Sequence, residues 1–443
     1  MEIFKYAVLS SEEARSHGAK SLCLVGKDWN YIANTTSDLW SKVTLAYPLL
    51  PGQISAAQKW LKASGQKAID VEIDLLDPAW NEYRDNSHPL EDPAKLQGMI
   101  AVLRGSEHRW RSISIKSDIR VPIDTFLRAW VIPNLPLLES ISIERCSEFV
   151  EEEYARFDPP PTLFGGNGTF MPKIRELCIS AVHVDWTLGA VSFQNLRKLE
   201  ITNQLSDVGP TFEQFVALIA ASPKLETLNI SGYCPSLPTQ IHTSLVYFPA
   251  LKHLAFGSLD ADRLCHFLEM FHISETLETL SLVGMKVPIP IPQWEAARTF
   301  TGVPDSTRIF EYITGSWDPN RDRSSPRLSV ARLKSLSVSW AGSDPRAVSA
   351  FLEKAPMIEE IHLTDVNQAV LEATATLAKA HGLLSLKRLS FQWMGAGEYI
   401  SLEARLVVDL LREHGLRVTV ESSPGHDASL NLLALLVAPS NGP

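Results

Sequence analysis

The chain has 443 residues, 45% of them hydrophobic and 21% charged, enough to bury a large core and too apolar for a disordered tail. Its 41 Lys and Arg against 51 Asp and Glu give a net charge of −10 with no basic run. That argues against a nucleic-acid or anionic-membrane binder, because phosphate contacts need clustered positive charge. Cys23, Cys146, Cys178, Cys234 and Cys265 are scattered and form no C-x-x-C pair, which predicts reduced thiols inside a cell. No export signal opens the sequence, and its longest apolar run, 430–438, falls short of the ~20 residues a membrane helix needs. The expectation is a protein of the cytoplasm or nucleus.

In chain order, the first predicted elements are helical. Ile3, Phe4 and Val8 fit one helical face, and Leu22, Val25, Trp29 and Ile32 step by 3, 4 and 3 along another. Asn34-Thr35-Thr36-Ser37 breaks that helix before Leu39-Trp40 and Val43. Residues 1–46 therefore read as a small helical module, 47–66 as a linker with a helix, and 67–421 as a repeat region.

An alternation at Ile69-Val71-Ile73 and a weak copy at Trp110-Ile113-Ile115 open that region. The pattern Leu-x-x-Leu-x-Leu then recurs at Leu138-Ile141-Ile143, Ile174-Leu177-Ile179, Leu196-Leu199-Ile201, Leu225-Leu228-Ile230, Leu251-Leu254-Phe256 and Leu277-Leu280-Leu282. It resumes at Leu333-Leu336-Val338, Ile358-Ile361-Leu363 and Leu386-Leu389-Phe391, and Leu416-Val418-Val420 closes the series. Self-similarity at this spacing predicts a solenoid of leucine-rich type with one short strand per unit. Helical spacing fills the intervals, over 211–221, 260–271, 344–354, 367–381 and 400–413. A closed eight-stranded α/β barrel would show strands apolar on both faces. Here Ser335, Ser337 and Ser339, Lys198, Glu200 and Thr202, and Glu360, His362 and Thr364 alternate with the apolar positions. The expected fold class is α/β, an open horseshoe-like solenoid behind a small helical module.

Two stretches interrupt the rhythm. One, at about 147–172, carries Glu151-Glu152-Glu153 and Pro159-Pro160-Pro161; the other, at 286–327, carries six prolines. Both read as inserted loops, and 422–443 as a tail capping the last unit.

The block from Ser21 to Trp40, SLCLVGKDWNYIANTTSDLW, resembles the second half of an F-box, closest to fungal, basidiomycete-type F-box proteins with leucine-rich repeats. Met1-Glu2-Ile3-Phe4 looks like the family's first-helix segment. The Leu-Pro that opens the family's motif has no counterpart, so the resemblance implies a first helix abbreviated at its N-terminus, and Gly26 stands where the family usually has cysteine. It implies the substrate-recognition subunit of a cullin–RING (SCF-type) ubiquitin ligase, with the Skp adaptor as one partner and an unidentified target protein, held by the repeats, as the other. Residues Ile3, Phe4, Leu22, Leu24 and Val25 would meet the adaptor, while Trp29, Ile32, Leu39 and Trp40 would form the core of the module. The alternative is a repeat scaffold that no longer binds the adaptor.

Motifs for nucleotide, zinc-protease or serine-hydrolase chemistry are missing from the sequence, so neither an enzyme nor a cofactor is expected. His183 and Asp185 lack a third ligand and read as a solvated strand end. The wet strand face is rich in small hydroxyls: Ser112, Ser114, Ser140, Ser142, Thr227, Ser231, Thr279, Ser281, Ser335, Ser337, Ser339 and Ser390. Trp186, Tyr233, Trp340 and Trp393 just beyond strands, with Glu360 and His362 on one, are the candidate target contacts. Packing beneath the next loop would give those aromatics the same sequence signature.

Overall fold

The structure, a computed structural model, describes residues 21–80 apart from 49 and 51, 88–146 apart from 133, and 158–232 apart from 165–168, 188 and 205–207. Further on it describes 235, 246–283, 286–288, 302–304, 307–315, 328–339, 344–364, 385–393, 409, 412 and 417–422. The chain divides into two compact units, Met1–Leu225 and Glu226–Pro443. Both are mixed α/β and built on parallel strands.

In the first unit six strands pair in chain order: β1 (Lys42–Ala46), β2 (Ile69–Leu75), β3 (Trp110–Ser117), β4 (Ser140–Arg145), β5 (Glu176–Ser180) and β6 (Lys198–Thr202). Its helices are α1 (Lys27–Thr35), α2 (Gln53–Ala63), α3 (Gln97–Leu103), α4 (Arg120–Ala129), the single turn α5 (Gly189–Ser192) and α6 (Phe212–Ala220). Alternation of period two puts one side-chain set on each face, and parallel register stacks like upon like. Val43, Val71, Ile113, Ile141, Leu177 and Leu199 form one such rung, and Leu45, Ile73, Ile115, Ile143, Ile179 and Ile201 the next. None of these twelve is more than 1% exposed. Burying each side chain contributes about 1.5–3 kcal/mol, so the rungs are the main cohesion between repeats.

The sheet starts earlier than the sequence pattern predicts. Residues 42–46, grouped above with the helical module, form β1, because Val43 and Leu45 give a two-residue alternation too short to register as a strand. The far end of the 147–172 stretch is also more than a loop. Phe164 is fully buried and stacks on Trp130 with ring centroids 6.4 Å apart, while Trp110 meets Trp130 edge-on at 5.0 Å. Thr169 Oγ1 lies 3.0 Å from both the Ile132 and Phe164 carbonyls, to which it donates.

The second unit carries β7 (Thr227–Ser231), β8 (Val246–Phe248), β9 (His253–Gly257), β10 (Phe271–Ile273), β11 (Thr279–Val283), β12 (Lys286–Pro288), β13 (Gly302–Pro304), β14 (Ser335–Ser339), β15 (Glu360–Thr364), β16 (Arg388–Trp393) and β17 (Arg417–Ser422). Strands β7, β9, β11, β14, β15, β16 and β17 pair in that order, all parallel. Strands β8 and β10 form a small parallel pair, and β12 and β13 an antiparallel one. Leu228, Leu254, Leu280, Leu336, Ile361, Leu389 and Val418 make its buried rung. Its helices are α7 (Ala261–Leu268), α8 (Thr307–Thr314) and α9 (Pro345–Lys354). Those expected over 367–381 and 400–413 fall outside the described residues, apart from 409 and 412.

Helix starts follow their caps. Thr211 and Gln214 close a reciprocal capping box on α6, Asp260 accepts the Arg263 N–H at 2.8 Å, and Asp344 accepts the Arg346 N–H at 2.9 Å with Pro345 in the first turn. Helix α8 corrects the reading of 286–327 as a loop. Ile309, Phe310 and Ile313 are at most 1% exposed, and the Phe310 ring sits 4.9 Å from Phe351 of α9. Eight residues of helix among six prolines give too short a periodic run to stand out.

The position before each of β7, β9, β11, β14, β15 and β16 alternates in charge: Glu226, Lys252, Glu278, Lys334, Glu359, Lys387. Each backbone carbonyl here from Glu226 to Glu359 accepts two N–H groups from the next repeat, as Glu226 does from Lys252 and His253, both at 2.9 Å. The side chains pair as Lys252–Glu226 and Lys334–Glu278, both 3.1 Å, and Lys387–Glu359, 2.8 Å.

Candidate functional site

Two surfaces bear on function. At the head of the first unit, residues 21–25 are helical, Gly26 is extended with φ 176°, and α1 follows. The helix expected to carry Leu22 through Ile32 on one face is thus two pieces, because glycine pays the largest entropic cost of staying helical. Asn30 Nδ2 donates to the Cys23 carbonyl at 3.0 Å and ties the pieces together. Ala33, Leu39 and Trp40 form a buried cluster against which Leu22, Cys23, Trp60 and Ala63 pack, and Trp40 Nε1 donates to the Ala33 carbonyl at 2.8 Å. Trp29, expected in that core, is instead 40% exposed. Leu24 is 86% exposed, Val25 62% and Tyr31 71%. Tyr31 was missed by the sequence reasoning. Ile3 and Phe4 lie outside the described residues.

The second surface is the polar sheet face of the second unit. Its register aligns Thr227, His253, Thr279, Ser335, Glu360, Arg388 and Arg417 across seven strands. The next row is Asn229, Ala255, Ser281, Ser337, His362, Ser390 and Thr419. Small residues dominate the early strands, and at Gly257 a Cβ would lie 2.6 Å from Ser231 Oγ and 3.0 Å from its Cβ, so Ser231 would have to shift for any larger residue. Toward the last strands, Ser335, Glu360, His362, Arg388, Ser390, Arg417 and Thr419 line a concavity of about 500 Å³. Within it Arg388 Nη1 pairs with Glu360 Oε1 at 3.2 Å, and His362 Nδ1 is hydrogen-bonded to Ser390 Oγ.

Glu360 and His362 are therefore brought together in one site. Arg388, Arg417 and Thr419 complete it and were missed. Their signal was legible in principle, since Arg388 and Arg417 each precede the central apolar residue of a repeat, as Glu360 does. The aromatics do not join them. Trp186 is only 5% exposed and packs under its loop near Phe193 and Gly189, so it is not a surface contact. Tyr233 and Trp340 lie outside the described residues. Trp393 closes β16, and its side chain is not described.

On the polar face of the first unit, burial and then the neighbouring Glu200 push the Cys178 thiol up to about 12, and burial with Glu144 pushes Cys146 to about 11. Such thiols stay protonated and do not act as nucleophiles near neutral pH. Among the described residues no group of three His, Cys, Asp or Glu could hold a metal ion, and no helix is long and apolar enough to cross a membrane. The chain matches no protein-family model, and no curated protein is detectably similar to it in sequence.

Proposed function

We propose that the chain is a substrate-recognition subunit of a cullin–RING ubiquitin ligase, its leading helices docking on a Skp-type adaptor and its repeats holding a target protein. The observation that carries this reading is the exposure of Leu24, Val25 and Tyr31 on a small helical lead that already has its own core in Ala33, Leu39 and Trp40. Exposed apolar clusters of this kind mark interaction sites. The F-box resemblance over 21–40 names the partner. A leucine-rich solenoid with one polar sheet face suits the second task, since small and charged side chains there are free to meet another chain.

A second reading, a repeat scaffold that does not bind the adaptor, draws on the break at Gly26, which divides the segment the resemblance needs as one helix. Co-purification with a Skp adaptor separates the two. Retention of the adaptor by the chain, lost in Leu24→Asp/Val25→Asp, is the expected result. Because both side chains are exposed, that variant should unfold at the same urea concentration as the parent. A folded parent that retains no adaptor would leave the scaffold reading.

A further inference from the structure

We propose that the concavity on β14–β17 is a binding site for a single carboxylate, an Asp or Glu side chain carried by an acidic segment of the target protein. The inference rests on the reading above that this sheet face holds a target, and it adds the chemistry by which the target is held.

Register places Arg417 directly beside Arg388 on the neighbouring strand, with Glu360 on the far side of Arg388. Like charges facing each other across a strand pair are destabilising, and among the described residues Glu360 pairs with Arg388. Arg417 has no ion pair or hydrogen bond from its side chain among the described residues, although its backbone N–H is held by the Lys387 carbonyl at 3.1 Å. An anion between the two guanidinium groups removes that repulsion and gives Arg417 a partner.

Charge selects the kind of anion. Arg388 and Arg417 supply two positive charges and Glu360 removes one, leaving one to neutralise. A carboxylate matches that, while a phosphate dianion leaves an excess negative charge beside Glu360. The remaining groups suit an acceptor-rich ligand. Ser335 and Thr419 offer hydroxyls, and His362, engaged at Nδ1 by Ser390, has Nε2 without a partner among the described residues. When Ser390 donates to Nδ1, the ring proton sits on Nε2 and becomes a further donor. The small hydroxyl side chains Ser335, Ser337 and Ser281 alongside let an extended peptide approach the sheet closely.

The test uses the full chain and a fluorescently labelled, C-terminally amidated octapeptide of serine and alanine with one central glutamate, followed by anisotropy at low ionic strength. Matched peptides carry glutamine or phosphoserine in its place. The glutamate peptide should bind at least tenfold more tightly than the glutamine one, and Arg417→Gln should weaken it at least tenfold while leaving the unfolding transition in place. Equal binding of the glutamine peptide, indifference to Arg417→Gln, absence of binding, or tighter binding of the phosphoserine peptide would each overturn the proposal. Adaptor co-purification run on the parent chain and on Arg417→Gln keeps the two ideas apart. In the parent chain, adaptor retained with no peptide bound removes the carboxylate site alone, and peptide bound with no adaptor retained removes the ligase reading alone; Arg417→Gln should keep the adaptor and lose the peptide.

Discussion

Cys178 shows how a single side chain records its surroundings. It occupies a polar-face position of β5, yet it is mostly buried and lies against Glu200, so its thiolate is disfavoured twice. The folded protein holds the thiol proton up to about pH 12, whereas the unfolded chain releases it near the ordinary value of 9.0. A pKa raised by folding means stability is complete below the unfolded value and is lost as pH rises toward the folded one. Urea midpoints should therefore fall from about pH 9 toward about pH 12, and the fall should be smaller in Cys178→Ala. At Gly257 the constraint is steric. Gly257→Ala should destabilise by about 1–3 kcal/mol in urea titrations, and Ser231→Gly in the same chain should recover most of the loss by removing the atoms the new methyl meets.

At the scale of elements, sequence legibility depended on the length of the periodic signal. The Leu-x-x-Leu-x-Leu copies marked strands β4 to β7, β9, β11 and β14 to β16 because their apolar i, i+3, i+5 spacing recurs. β1 and α8 went unseen for the opposite reason, with two apolar positions in one and eight residues among prolines in the other. Of the candidate site, Glu360 and His362 were read from alternation along one strand. Arg417 was not, because its role depends on register with Arg388, 29 positions earlier in the chain. Trp186 misled because a buried and an exposed tryptophan after a strand have the same sequence context. Helix α8 is a core element of the second unit, and Phe310→Ala should cost about 3–5 kcal/mol of stability in urea unfolding. A loop residue in its place would cost a few tenths.

For the molecule as a whole, the division of labour predicts two separable activities. Leu24→Asp/Val25→Asp should abolish adaptor retention while leaving glutamate-peptide binding intact, and Arg417→Gln should do the reverse. Both variants are read by the same pair of assays on folded protein. Loss of both activities in either variant would mean that the two surfaces do not act independently. The net charge of −10 bears on this too. Salt screens both the long-range repulsion between this acidic protein and an acidic partner and the local attraction of the concavity, so glutamate-peptide affinity should change only shallowly with ionic strength.

The alternating charges before the strands of the second unit carry a consequence for how such a chain can grow or shrink. Its ion pairs join β7 to β9, β11 to β14, and β15 to β16, so the repeats are stapled two by two. Excision of a single repeat around β14 would bring Glu278 beside Glu359, two like charges on adjoining strands. Removing two consecutive repeats, or inserting two, restores the order of signs. The individual pairs are exposed and each contributes little, about 0–1 kcal/mol. Their pattern nonetheless gives the array a parity. Lengthened or shortened versions of this protein keep that order of signs in even steps and break it in odd ones.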